Sequence, residues 1–205
     1  MLPASNSLPL CVDLDETFSP IDTLYDHLAQ AMRVAPARTL MVGGRFFLHR
    51  SRSRFKAELA EIRPFSASGV PIREEVADYL QKERQAGRKV YLVTAADLSI
   101  AQAIATAHPC FDGVWGSSAE HNLKSANKAE FLTGQFGPRG FAYLGDHRAD
   151  IPVWRAAGQA MVVAPGGKIP PALKSALPDL IPLPVKNAPG LTGKIGYFLR
   201  RLITG

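Results

Sequence analysis

The chain has 205 residues, enough for one domain of ordinary size with a small insertion. Its 46% apolar content is that of a globular protein, and no apolar run is long enough to span a membrane as a helix. A formal charge of +6 and a pI near 9.5 suit an anionic substrate, membrane face or nucleic acid. Met1 to Pro9 lacks the charged start and long apolar stretch of a signal peptide, and Cys11 and Cys110 give neither a disulfide framework nor metal spacing. The cytoplasm is the expected compartment. No RNA- or DNA-binding motif is present and the aromatic residues read as core, so nucleic acid is not an expected partner.

Leu8, Leu10 and Val12 form the first predicted strand, which runs into Asp13-Leu14-Asp15-Glu16-Thr17-Phe18. Two carboxylates two residues apart face one side if a strand holds through both. The reading taken here is that the strand ends between Asp13 and Asp15, and that they converge on one cation. Neighbouring buried carboxylates repel, and both ionise readily only with a cation between them or when one keeps a proton. Taken alone, the stretch also fits an ordinary Asp-rich turn. Next, Ile21, Leu24, Tyr25, Leu28 and Met32 recur at helical spacing, Pro36 breaks that helix, and Gly43-Gly44 predicts a further turn. A second helix is expected over roughly Arg45 to Ile62, with Arg45, Arg52 and Lys56 sharing about one face.

From Pro71, read as the first turn of a helix, the pattern is regular. Ile72, Val76, Tyr79 and Leu80 make an apolar stripe and Gly87 ends it. Lys89 to Thr94 is a buried strand, followed by Ala95-Ala96-Asp97. A helix is predicted from Leu98 to Ala107, a short strand around Gly113 to Trp115, and a helix from near Ser125 to Gly134 or Gly137. Phe141 to Leu144 is a strand ending in Gly145-Asp146, a helix covers about Ala149 to Ala157, and Ala160 to Val163 is the last clear strand. The alternation predicts an α/β fold, a Rossmann-like parallel sheet with helices on both faces. Prolines then recur at 165, 170, 171, 178, 182, 184 and 189, a composition that argues against extended regular structure. Gly193 to Leu202 regains helical periodicity, with Lys194, Arg200 and Arg201 beside Ile195, Phe198, Leu199 and Leu202.

Ligands of an open parallel sheet bind outside the carboxyl ends of its strands. Asp13, Thr94 and Asp146 each fall at such an end. The motif Asp13-x-Asp15-x-Thr17 after an apolar strand resembles motif I of the haloacid dehalogenase (HAD) superfamily, and three further matches follow in order. Thr94 after Val90 to Val93 matches motif II, and Gly145-Asp146-x-x-x-Asp150 matches motif IV. Asn122 to Leu132 offers two lysines for motif III, Lys124 and Lys128. Phe131 and Leu132, three and four residues on, favour Lys128.

The resemblance implies that Asp13 is a nucleophile forming an aspartyl-phosphate and that Asp15 is a general acid/base. It implies a Thr94 hydroxyl, with Ala95 beside it, on a phosphate oxygen. Mg2+ would be held by Asp13, Asp146 and the main-chain carbonyl of Asp15, with Asp150 supporting the metal site. Carbon–halogen cleaving members lack an acid at Asp15, so phosphoryl transfer is the expected chemistry. The implied core is 1–18 with 65–165, and 19–64 is a small helical cap inserted after the first strand. Arg45 and Arg52 are its substrate-binding candidates, and 166–205 is a Pro-rich segment ending in a short amphipathic helix. Asn122 to Leu132, Phe136 to Asp146 and Ala149 to Trp154 are also similar to the HAD domain fused ahead of UbiA-type membrane prenyltransferases. No prenyltransferase sequence follows within these residues, so the chain reads as free-standing or as a piece. This closer resemblance implies a small phosphorylated substrate, a sugar or polyprenyl-linked phosphate, with peripheral membrane contact through the basic cap and tail or a prenyltransferase partner. Its alternatives are a phosphotransferase or mutase of the same chemistry, and a low-activity partner module.

Overall fold

The computed structural model describes residues 8–49, 52–118, 121–187 and 190–204. The reading of Met1 to Pro9 lies largely outside them, as do Arg50 and the side chain of Arg52. Among the described residues, β1 (Leu10–Val12), β2 (Val90–Asp97), β3 (Gly113–Ser117), β4 (Ala142–Gly145), β5 (Gln159–Pro165) and β6 (Ile181–Val185) form one parallel sheet. Its order is β3-β2-β1-β4-β5-β6. Alternate side chains feed two cores. Leu10, Val12, Leu92 and Leu144 pack with Val76 and Leu80 of α4 (Glu74–Gln85) and with Ile100 and Ile104 of α5 (Leu98–Ala107). Cys11, Val93, Tyr143 and Val162 face the other way. They meet Leu132 of α6 (Ala126–Phe136), Trp154 of α7 (Ile151–Ala156) and Leu173 of α8 (Pro171–Ala176). Both faces of the sheet are therefore covered, as the strand–helix alternation requires.

Between β1 and β2 stand α1 (Thr23–Val34), α2 (Pro36–His49) and α3 (Arg52–Ile62), joined by a small core of Ala31, Val42, Phe55 and Leu59. Gly43-Gly44 makes no turn here. Both residues lie inside α2, where a glycine costs only about 1 kcal/mol relative to alanine and packing of the helix outweighs it. Pro36 ends one helix by opening the next, at a first-turn position where its missing N–H costs nothing. The expected Arg45-to-Ile62 helix is thus two helices, and Arg45, Arg52 and Lys56 share no single helical face.

Three other expectations change. Helix α4 starts at Glu74, beyond Pro71, because the Arg73 N–H is drawn to the Phe18 carbonyl (2.8 Å) and holds Arg73 extended. Strand β2 continues past Thr94 to Asp97 by pairing with β3, whose register shifts after Val93. The Pro-rich segment supplies an extended strand after all. Among the described residues β6 pairs with β5 alone, and Pro182 and Pro184 are two apart. Successive N–H groups of a strand point to opposite sides, so both missing donors fall on one side, away from the partner, where an edge strand tolerates them.

The chain closes with α9 (Leu191–Thr204), which lies on α1. No described helix is long and apolar enough to cross a membrane.

Candidate active site

The site forms where β1 and β4 end. The Asp13 N–H donates to the Leu144 carbonyl (3.0 Å), fixing Asp13 one residue beyond β1. The strand ends before both carboxylates, not between them. A turn over Leu14–Phe18 follows, closed by the Phe18 N–H on the Asp13 carbonyl (3.2 Å), with Asp15 extended and Glu16 in the left-handed region (φ 59°). That turn sends the two carboxylates apart.

Asp13 accepts a bond from Lys128 Nζ (2.8 Å). Lys128, 2% exposed at the head of α6, also donates to the Tyr143 hydroxyl (2.8 Å), which donates to Asp150 Oδ1 (2.8 Å). Asp150 Oδ2 accepts from the N–H groups of Asp146 (3.3 Å) and His147 (3.2 Å), shaping the turn after β4. Asp146 in turn receives the Thr17 hydroxyl (3.2 Å). One oxygen each from Asp13, Asp146 and Asp150 can lie within 4.8 Å of the others.

Burial pushes the Asp13 carboxyl above its usual range, against the opposing pull of Lys128. Asp146 is pushed up to about 8, by burial first and then by Asp13 and Asp150. Three acidic groups stand against one lysine, and burial and their mutual repulsion oppose the ionisation of Asp13 and Asp146. A hard divalent cation such as Mg2+, which takes oxygen donors and keeps several waters, fits that donor set.

Asp15 does not join the three side chains, contrary to the convergence expected from its spacing. Its Oδ1 accepts from the Thr23 N–H and hydroxyl (both 2.7 Å) at the start of α1, where a carboxylate is favoured by the helix N-terminus. Burial, then the neighbouring Asp22, pushes its carboxyl up to about 7.

Thr94 is fully buried and lines the same cavity, its hydroxyl oxygen accepting from the Ala96 N–H (3.0 Å). The Ala95 carbonyl takes Ser117 Oγ (3.0 Å) and Lys56 Nζ (3.1 Å), so α3 reaches the sheet edge through Lys56. Lys124 is exposed at the rim, whereas Lys128 is the lysine on Asp13. Arg45 is not brought to the cavity: it faces α3 and pairs with Glu58 (3.8 Å), while Arg54 and Lys56 line the cavity in its place.

The sequence reading also missed Thr17 and Tyr143. Thr17 stood in the motif without a role, and Tyr143 reads as an ordinary core residue of a buried strand. The helix expected over Gly193 to Leu202 is α9, and what its pattern did not give is the surface it meets. Lys194 pairs with Glu16, and the Tyr197 hydroxyl (2.5 Å) and Arg201 Nε (2.8 Å) both reach Asp26. Lys194 and Arg201 are therefore committed within the chain. The cavity, about 1580 Å3, runs from Asp13, Lys128 and Asp146 to a wall made by α1 and α9.

No family model matches the chain. The uncharacterized protein y4nM of Sinorhizobium fredii (strain NBRC 101917 / NGR234) is 41% identical over 169 residues, 82% of this chain. The chain spans about a third (32%) of that relative's length. A HAD family hydrolase from Salmonella enterica serovar Typhi superposes with a TM-score of 0.58 at 15% identity, over 87% of this chain and 70% of its own. A probable phosphoserine phosphatase from Vibrio cholerae gives 0.58 at 12% identity, over 98% of this chain and 67% of its own. The chain has the fold of the HAD superfamily, as the motif order implied.

Proposed function

We propose that the protein is a Mg2+-dependent phosphatase that hydrolyses a phosphate monoester through an aspartyl-phosphate on Asp13. The observation that carries this is the Asp13–Lys128 contact beside Asp146 and Asp150, at the carboxyl edge of a HAD-type sheet. Asp13 attacks phosphorus and the ester oxygen leaves with a proton from Asp15. Asp15, then ionised, takes a proton from the incoming water. The water oxygen attacks phosphorus, phosphate departs, and Asp13 is restored. A carboxyl near 7 suits both halves of that exchange, and its Oδ2 carries the proton because both Thr23 bonds fall on Oδ1. Lys128 holds Asp13 in place and offsets charge on the phosphoryl oxygens. Mg2+, when bound by Asp13 and Asp146 with Asp150 behind them, neutralises developing charge on the phosphoryl group.

The test is phosphate release from p-nitrophenyl phosphate, with Mg2+ and with chelator. Asp13→Asn should lose turnover by several orders of magnitude while keeping the parent's circular dichroism spectrum. Near-normal turnover by this variant sinks the covalent mechanism.

A second reading, peripheral contact with an anionic membrane, is favoured by the outer face of α2. Leu40, Met41, Phe47 and Leu48 are 65%, 62%, 81% and 80% exposed, and on the flank toward α3 Arg38 and Arg45 pair with Glu61 (3.6 Å) and Glu58 (3.8 Å). Residues 34–57 contain no acid. Each basic residue near such a surface contributes about 1 kcal/mol. Sedimentation with anionic liposomes at low salt should carry the protein down and high salt should release it. A protein that stays in the supernatant at low salt removes this reading.

A further inference from the structure

The phosphatase reading leaves the alcohol side of the substrate open, and the far wall of the cavity bears on it. Leu24, Tyr25 and Leu28 of α1 and Ile195 and Phe198 of α9 line the cavity that holds Asp13, Asp146 and Lys128. Resting on that reading, we propose that this apolar wall is the leaving-group subsite. It selects phosphate monoesters whose alcohol carries an apolar chain, and α9 supplies two of its five side chains.

Three features support the assignment. Tyr25 and Ile195 are 63% and 49% exposed, so large apolar surface stays wet until something apolar covers it. The wall is also fixed in place, because α9 is tied to α1 through Asp26 and to the nucleophile turn through Glu16. Binding need not pay to order it. Among these five side chains only the Tyr25 hydroxyl can hydrogen-bond, so a polyhydroxylated alcohol would be desolvated there with few partners. The polar lining groups of these two helices are engaged within the chain, Thr23 with Asp15, Lys194 with Glu16 and Tyr197 with Asp26. Other lining groups are Lys56 from α3 and Asn122 and Lys124 from the segment before α6. Those groups suit the phosphate rather than the alcohol.

The test is a series of n-alkyl phosphates from ethyl to octyl, assayed with Mg2+. The alcohols differ little in acidity, so the chemical step stays constant while the apolar area grows. The expected result is a rise in kcat/KM of up to about fourfold per methylene until the wall is covered, carried by KM. Phe198→Ala and Leu24→Asn should each flatten the series and lower the octyl-to-ethyl ratio by roughly tenfold. The parent series stands by itself if either variant fails to fold. A flat parent series with measurable turnover overturns the subsite and leaves the phosphatase reading standing. Failure to hydrolyse any ester, p-nitrophenyl phosphate included, overturns the phosphatase reading instead. In that event calorimetric binding of the n-alkyl phosphonates decides the subsite. Affinity rising with chain length supports it, and equal affinity for ethyl and octyl overturns it.

Discussion

Arg201→Met tests whether α9 is a structural part of the molecule. The Arg201 side chain is 8% exposed, and its Nε lies 2.8 Å from Asp26, which is fully buried. Asp26 also receives the Tyr197 hydroxyl (2.5 Å) and Gln30 Nε2 (2.6 Å). After the substitution the carboxylate keeps two neutral donors and loses the Arg201 countercharge. Removing one partner of a buried ion pair costs about 3–5 kcal/mol, chiefly through the orphaned charge. For a domain of this size that is a fall in Tm of roughly 6–20 °C if α9 stays docked. If docking is worth less than the penalty, α9 leaves and the carboxylate rehydrates. The melt then moves less and proteolysis within 191–204 accelerates. Differential scanning calorimetry and limited trypsin digestion read the two cases. The double variant Asp26→Asn with Arg201→Met should recover part of the loss, since no orphan charge remains. A melt within 1 °C of the parent with unchanged digestion, or a double variant no better than the single, refutes the buried-charge reasoning.

Tyr143→Phe removes the hydroxyl between Lys128 and Asp150, whose charged atoms lie 4.0 Å apart. Stability should drop by about 1–3 kcal/mol in urea titrations, and kcat should fall roughly tenfold as Lys128 loses an anchor. Mg2+ should bind more tightly as pH rises from 6.5 to 8.5, because the cation must displace the proton that burial holds on Asp146 up to about 8. A half-saturating Mg2+ concentration that ignores pH contradicts this. His27 is buried, with one ring nitrogen on the Arg63 carbonyl (2.8 Å) and Nδ1 without a partner, and burial lowers its pKa below 6.5. His27 should contribute stability above pH 6.5 that is lost below it, because the unfolded chain takes up a proton the folded site resists, while the raised carboxyls of Asp15 and Asp146 act the opposite way. The Tm difference between His27→Gln and the parent should move in favour of the variant from pH 7.5 to 5.5; a difference that ignores pH refutes the assignment to His27.

Legibility in the sequence followed the range of the interactions. β1, β2, β4 and β5 are buried on both faces, so they read as short apolar runs, and the acids just after them fell at the sheet edge without further information. Lys128 could be preferred over Lys124 only by the apolar residues after it. What distinguishes them in space is a contact with Asp13, 115 residues away. Strand β6 was hidden because proline content argues against strands in general but not against an edge strand whose prolines are two apart. The direction of Asp15 was hidden too: side-chain period assumes a continuing strand, and the turn at Glu16 breaks it. Helix α9 showed its amphipathic pattern, but a pattern does not say which surface the helix meets.

That surface gives the tail a place in the site's order. Asp15 is held by Thr23, the first residue of α1. Asp26, one turn further along α1, is held by Tyr197 and Arg201 of α9. Glu16, next to Asp15 in the nucleophile turn, is held by Lys194, so α9 touches both ends of the segment that carries the acid. Its carboxyl lies near 7 because burial keeps it there. Loosening α9 would admit water beside α1 and lower that value toward the ordinary carboxylate range. Arg201→Met should therefore move the alkaline limb of the kcat profile to lower pH, since the protonated acid is lost earlier. An unshifted limb in a variant whose tail is demonstrably undocked would separate α9 from the acid and leave it only as a wall of the cavity.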